Sequence, residues 1–348
     1  MNNIFIFPMG MEIIPLIENK SILPYDNIYI LGSTNNNYIN NNYDHLIFAN
    51  SYEQIINACN TALFVYEEQI PLDEYKKAID ILLSVDIKIF VVSTIANILH
   101  IQSDLNVTVL DNPELNVNSS VKQVVPIPVP IILILGDGKF SEKFNVQLKL
   151  HNIMVSKGYK VLSFTSKEYG EFIGMNRLPK FIFDKMSLTD KIVALNHYLY
   201  QIVHNQSPDL MLISAPGGVL PISSQFVEDY GEYSIVISNA AIADIVIRSL
   251  YYNQYDEEFF KNDMNSMKYR LNATVEYYNI SRTSLVYPPS LMDHLGFVCV
   301  DNDNLNRLID SISHKLSDCL VFDSNNDTQI NIIADDILNK LSSDVSII

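Results

Sequence analysis

Cysteine is scarce. Cys59, Cys299 and Cys319 stand far apart, and none belongs to a Cys-x-x-Cys pair or a Cys/His ligand cluster. That excludes a disulfide scaffold and a thiolate zinc site and fits a reduced compartment. Cys299 and Cys319 lie in apolar segments and are expected to be buried as small hydrophobes. Basic residues are also few: 23 Lys and Arg face 40 Asp and Glu, a formal charge of −17. No run of Lys or Arg breaks the acidity, so phosphate backbones and anionic lipid would be repelled. No apolar stretch approaches the roughly 18 residues of a membrane helix. The opening Met1-Asn-Asn-Ile-Phe-Ile-Phe7 has no basic n-region and no small-residue cleavage site, so it reads as a first strand. The expectation is a cytoplasmic protein with no nucleic-acid or membrane partner.

Two catalytic patterns are missing as well. There is no Gly-x-Ser-x-Gly elbow, and the seven histidines form no His-x-x-x-His or His-Glu-x-x-His pair. His197 and His204 share one predicted helix face, but two turns separate them by roughly 11 Å, too far for one metal. No metal site is expected. Tyr251-Tyr252 and Tyr277-Tyr278 have no basic residues between them, which argues against stacking on nucleic acid.

What is present is an alternation of apolar runs and helical stripes. Residues 3–7, 27–31, 46–48, 62–66, 87–92 and 107–110 read as strands. Leu72, Tyr75, Ile79 and Leu82 mark a helix among them, with Pro71 near its start. Residues 33–44 are an Asn-rich polar loop. Strands alternating with helices predict a doubly wound, mostly parallel sheet. Prolines at 126, 128 and 130 keep the chain extended after Asn116-Val-Asn-Ser-Ser120. The expected organisation is therefore a Rossmann-like α/β domain over 1–112, a linker over 113–128, and a second α/β domain over 129–348.

The second half opens on Val129-Pro-Ile-Ile-Leu-Ile-Leu-Gly136-Asp-Gly-Lys-Phe-Ser-Glu-Lys143-Phe144. Val146, Leu150, Ile153 and Met154 then mark a helix that Gly158 ends. An apolar strand, a glycine turn and a helix is the order of a phosphate-binding loop, whose amides and helix end favour an anion. The spacing departs from that motif. Lys143 lies seven residues after Gly136 rather than six, and Phe144 stands where a magnesium-binding hydroxyl belongs. Asp137 and Glu142 would repel phosphate, with Lys139 and Ser141 in partial compensation. A second turn, Ser214-Ala-Pro216-Gly217-Gly218, follows the apolar strand 208–214. If the strands at 131 and 209 are neighbours, both turns face one cleft at the carboxyl edge of the sheet. Asp209 sits at the amino end of its strand and cannot serve as the usual magnesium carboxylate. The ligand-binding candidates are thus Gly136, Asp137, Gly138, Lys139, Ser141, Lys143, Pro216, Gly217 and Gly218. No catalytic residue is assigned, and a nucleotide is the one cofactor the loop suggests.

Further along, residues 166–186 read as a long irregular loop, often a functional feature. Ser187 opens a helix with its apolar stripe at Ile192, Leu195, Leu199, Ile202 and Val203. Ser234–Ser238 reads as a strand and 239–250 as containing a helix. Strands are expected at 275–280, 297–300 and 320–322, and helices at 257–271, 304–316 and 328–341.

With Ile6-Phe-Pro8 and Glu12-Ile-Ile-Pro-Leu-Ile17 at its start, then Asn196-His-Tyr198, Pro208-Asp209 and Pro216-Gly-Gly218, the chain in order and texture resembles a clostridial family of peptide maturation system proteins. The residues that carry the likeness are Ile6-Phe-Pro8 with Glu12-Ile-Ile-Pro-Leu-Ile17, Lys143-Phe144 with Gln147-Leu148, and Lys157-Gly-Tyr-Lys-Val161. Tyr169-Gly-Glu-Phe-Ile-Gly174 with Leu178-Pro-Lys-Phe181 is similar too. The most specific piece is Asn196-His-Tyr198, followed by Pro208-Asp209 and Pro216-Gly-Gly218. The resemblance implies a Rossmann-like domain joined to a P-loop-NTPase-like domain. It also implies an accessory role in maturing a ribosomally made, bacteriocin-like peptide (a RiPP), beside a radical SAM enzyme. The precursor peptide or that enzyme would then be the partner. The alternative is a nucleotide- or phosphate-binding enzyme using the 136–144 loop and the 216–218 turn. The family's first domain is expected to carry glycine-rich turns after its second and fourth strands. Here Ser33–Asn42 and Glu67-Glu68 stand in those places, which counts against a ligand role for the first domain.

Overall fold

The structure is a computed structural model and describes residues 2–32, 43–115, 122–287, 295–314, 316 and 319–344. Most of the Asn-rich loop, Asn116–Ser120 and His294 lie outside the described residues. The chain divides into two compact units, one of residues 1–113 with 167–177, the other of 114–166 with 178–348.

The first unit follows from its apolar runs. Its strands are β1 (Asn3–Phe7), β2 (Asn27–Leu31), β3 (Leu46–Ala49), β4 (Thr61–Phe64), β5 (Lys88–Val92) and β6 (Val107–Leu110). They pair in parallel in the order β3-β2-β1-β4-β5-β6. Helices α1 (Ile14–Glu18), α2 (Tyr52–Ala58), α3 (Leu72–Leu83) and α4 (Ser93–Leu99) connect them. Every residue of β1 is buried, as a central parallel strand requires. Strand order reverses between β1 and β4, the place where such sheets hold ligands. There the Glu67 carboxylate accepts the Glu12 amide at 2.9 Å, and a methyl group on Gly10 would meet it at 2.2 Å. An acidic side chain thus covers the turn after β1.

Residues 167–177 were read as part of the second domain and of an irregular loop. They count with the first unit and are ordered by it. Lys167 pairs with both carboxylate oxygens of Glu12 at 2.7 Å, and the buried Tyr169 hydroxyl donates to the Glu12 carbonyl. Glu168 accepts from Thr94 at 2.6 Å and from Ser93; burial raises its pKa. Phe172 stacks on Tyr25 and packs edge-on against Phe90. These side chains lack helical or strand periodicity, so their partners were invisible in the sequence. The segment ends in the two-residue strand β9 (Asn176–Arg177).

The second unit holds β7 (Ile131–Gly136), α5 (Lys143–Ser156), β8 (Val161–Thr165), α6 (Leu188–Gln206), β10 (Leu210–Ser214), α7 (Glu232–Ala240) and β11 (Ile245–Leu250). After these come α8 (Glu257–Leu271), β12 (Val275–Ile280), the antiparallel pair β13 (Thr283–Val286) and β14 (Gly296–Cys299), α9 (Asn302–Ser313), β15 (Leu320–Phe322) and α10 (Asp327–Asp344). Its parallel sheet runs β15-β12-β11-β7-β10-β8. Successive residues of β7 serve opposite faces. Ile131, Leu133 and Leu135 pack with Leu195 and Leu199 of α6, Val236 and Ile237 of α7, Phe260 of α8 and Ile309 of α9. Ile132 and Ile134 pack with Val146, Leu150 and Met154 of α5 and with Ile333 and Ile337 of α10. Both domains are therefore doubly wound α/β layers. Among the described residues no helix is long and apolar enough to cross a membrane.

Three local expectations are corrected. Ser234–Ser238 is helical, inside α7, and 245–250 is a strand, not a helix. A short apolar run fits either period, and here the sheet position decided. Cys299 is exposed on β14, which is half-covered at most; Cys59 and Cys319 are buried.

Candidate functional site: the loop between β7 and α5

The sheet order sets the site. β7 pairs in parallel with β10 on one side and β11 on the other, so the carboxyl ends of three strands lie together. The loop 137–142 leaves β7, and the Ala215–Gly218 turn leaves β10. The Val219 amide donates to the Gly136 carbonyl at 3.0 Å, and the Asp137 amide to the Ser249 carbonyl at 3.1 Å. Gly218 is required here: a Cβ on it would stand 2.4 Å from the Asp137 carbonyl oxygen. Gly217 takes a left-handed φ of 64°. The two turns singled out in the sequence therefore share one edge.

Lys143 is the first residue of α5 and is buried. Its ammonium donates to the carbonyls of Gly138 at 2.9 Å and Gly217 at 2.5 Å. The side chain thus bridges the two turns. The loop's extra residue is absorbed by two left-handed residues, Phe140 at φ 58° and Glu142 at φ 60°, which let Lys143 still open the helix. Each such non-glycine residue costs roughly 1–2 kcal/mol. Residues 139–140 form a turn closed from Gly138 to Ser141, and among the described residues the amides of Gly138, Lys139 and Phe140 make no backbone hydrogen bond. They leave several donors near one lysine at a helix start, the composition of an anion cradle.

The remaining candidates divide. Lys139 is exposed, and its carbonyl accepts the Tyr251 hydroxyl at 2.5 Å. Ser141 was expected to help hold phosphate; its hydroxyl instead donates inward to the Gly138 carbonyl at 3.0 Å and is buried. Asp137 was expected to repel phosphate. One of its oxygens is bound by Arg248 and the other accepts the Tyr251 amide at 2.9 Å. Glu142 is likewise engaged, by Arg282 at 3.3 Å and Asn325 at 2.9 Å. Pairing with arginine offsets much of the repulsion both acids would exert on an anion. Pro216 lies in the turn between Ala215 and Gly217, half-buried.

Arg248 was missed because its segment was read as helical. It is 2% exposed, lies on β11, and also reaches Asp263 at 3.4 Å. Burial pushes its pKa down, but the carboxylates of Asp137 and Asp263 override this and hold it above the usual arginine value. Tyr278 donates to the other Asp263 oxygen at 3.0 Å.

No magnesium ligand comes from the usual positions. Phe144 is buried where a hydroxyl would follow the lysine. Ser214 ends β10, where a carboxylate is usual, and its hydroxyl is buried with no hydrogen bond among the described residues. Among the described residues no group of three His, Cys, Asp or Glu could hold a metal ion.

Further side chains stand at these glycines: the Tyr251 hydroxyl would lie 2.8 Å from a Cβ on Gly138, and the Asp229 carboxylate 3.9 Å from one on Gly217. Glu228 lies over the glycines: a Cβ on Gly138 would come within 3.0 Å of its carboxylate, and one on Gly218 within 3.0 Å of its Cβ. Burial raises its pKa, while Lys143, Lys139 and a hydrogen bond from the Gly218 backbone draw it back down. It lies in a hook over 226–231, in which Glu228, Asp229 and Tyr230 all take left-handed φ values of 46°, 51° and 52°. Gly231 anchors the hook, since a Cβ there would meet the Val219 carbonyl at 2.3 Å. No sequence pattern signals Glu228; only the folded return of the chain brings it to the loop.

Asn196, within the most specific piece of the family likeness, is remote from this chemistry. Its buried amide donates to the Val125 and Ala240 carbonyls and accepts the Val125 amide. It ties α6 to the approach of β7 and to the end of α7.

No family model matches the chain, and no curated protein matches it. Among solved structures it is similar to a DUF1611 family protein from Anabaena variabilis, with a TM-score of 0.61 at 12% identity, covering 99% of this chain and 100% of that one. That likeness establishes a shared fold across both units. Weaker likenesses are to a LAO/AO transport system kinase (TM-score 0.33, 10% identity, 63% of this chain and 61% of that one) and to chloroplast FtsY from Physcomitrella patens (TM-score 0.34, 14% identity, 63% and 69%).

Proposed function

We propose that the second unit binds the phosphate chain of a nucleotide or a related phosphate-bearing ligand at residues 136–143, opposite the 216–218 turn. The observation that carries this reading is Lys143: it begins α5 directly after the β7 loop and is held by two backbone carbonyls that a phosphate can replace. Loop amides lie beside it, and arginines occupy the nearby acids. Binding would not depend on magnesium, because Phe144 and Ser214 supply no ligand for it, and hydrolysis is not expected. Thermal-shift titration tests the reading. Millimolar ATP should stabilise the protein with or without magnesium, and the stabilisation should vanish in Lys143→Met. No shift in any nucleotide or polyphosphate would sink it.

For the pathway, we propose the one the sequence resemblance implies, an accessory role in maturation of a ribosomally made peptide. A phosphate-bearing ligand would then set the state in which the protein meets its precursor peptide or radical SAM enzyme. Co-purification with a precursor peptide or a radical SAM enzyme from the same organism supports that role; association with neither counts against it.

A further inference from the structure

We propose that Glu228 is an internal occupant of the phosphate site, and that the 226–231 hook must withdraw before a ligand can bind. This rests on the phosphate-binding reading above. The carboxylate lies against Gly138 and Gly218, within the electrostatic reach of Lys143 and Lys139, and takes a hydrogen bond from the Gly218 backbone. These are the glycines whose missing side chains let a ligand approach, so the carboxylate fills the approach itself. The two acids native to the loop are already bound by Arg248 and Arg282. Glu228 therefore supplies the carboxylate that reaches Gly138, with the Asp229 carboxylate beside it, 3.9 Å from the place of a Gly217 Cβ.

The hook holds a strained backbone. Three consecutive non-glycine residues hold a left-handed backbone, and Tyr230 is 63% exposed at its tip. Its anchors include Gly231 against Val219, the Arg270 guanidinium on the Tyr230 carbonyl, and the Ile222 and Ser223 amides on the Phe226 carbonyl. Fixed carboxylates of Glu228 and Asp229 compete well with a singly placed phosphate and poorly with a chain of them, so the site selects di- and triphosphates over inorganic phosphate.

Calorimetric titration with tripolyphosphate and with inorganic phosphate, both without magnesium, tests this in the full chain. Glu228→Gln keeps the shape and removes the charge. It should bind tripolyphosphate at least about tenfold more tightly than the unaltered protein, the scale of removing one like charge from a partly buried site. Its preference over inorganic phosphate should narrow. Equal binding by both proteins overturns the internal-occupant proposal and leaves the phosphate site standing. Binding by neither, with both folded by circular dichroism, removes the phosphate site and this proposal with it. Hydrogen exchange in the unaltered protein supplies a second measurement: amides of 226–231 should exchange faster when tripolyphosphate is bound. Unchanged exchange at saturation contradicts withdrawal of the hook.

Discussion

Arg248 is the position at which folding and binding should fail together. Its guanidinium is buried between Asp137 of the loop and Asp263 of α8, and Asp263 is itself 4% exposed. Replacing it by methionine keeps much of the volume and leaves two carboxylates without their cation. Removing one partner of such a buried set costs about 3–5 kcal/mol, because the desolvated charge that remains is uncompensated. For a unit of this size that is a fall of roughly 6–20 °C in melting temperature. The same change frees Asp137 to face the phosphate loop, so ligand binding should weaken beyond what lost stability explains. Urea unfolding followed by circular dichroism, with nucleotide titration on the folded fraction, measures both. The triple variant Arg248→Met, Asp137→Asn, Asp263→Asn removes the whole ion set and should recover most of the stability. A loss below about 1 kcal/mol in the single variant, on the scale of exposed pairs, would refute the reasoning.

Gly218→Ala should cost about 1–3 kcal/mol, since its Cβ meets the rigid Asp137 carbonyl rather than a flexible side-chain end; the urea midpoint reads it, and binding should fall as the two turns are pushed apart. His151 accepts or donates at Ser163 from inside α5, and burial lowers its pKa below 6.5. The unfolded chain therefore takes up this proton first, so the contribution is present above pH 6.5 and is lost as pH falls towards the folded value. His151→Asn should flatten that part of the stability profile; an unchanged slope would show that another group carries it.

Much of the architecture was legible because parallel strands buried on both faces read as continuous apolar runs. β1, β7 and β10 stand out in this way, and α6 and α3 declare themselves by their stripes. The loop and its glycine turn were legible as a pair because a strand ending in glycine has few alternatives. The swap of helix and strand at 232–250 shows the limit. Ile235-Val-Ile237 and Ile245-Val-Ile247 are identical in sequence, and only their neighbours in the fold separate a helix face from a sheet centre. Arg248 was lost through that swap: a charged residue in a central strand is intelligible only once Asp137 and Asp263 are seen on either side. Glu228 and the 167–177 segment depend on contacts far apart in sequence, which no local pattern encodes. The extra residue before Lys143 looked like a defect of spacing in the sequence; in the fold, left-handed Phe140 and Glu142 accommodate it and Lys143 opens α5.

The central claim is that Lys143 organises an anion site. The most direct test is a binding isotherm for ATP, measured by calorimetry on the unaltered chain and on Lys143→Met, with magnesium present and absent. The account predicts saturable binding in the first, independent of magnesium, and its loss in the second while circular dichroism stays unchanged. Binding that survives in Lys143→Met, or that appears only with magnesium, would contradict it.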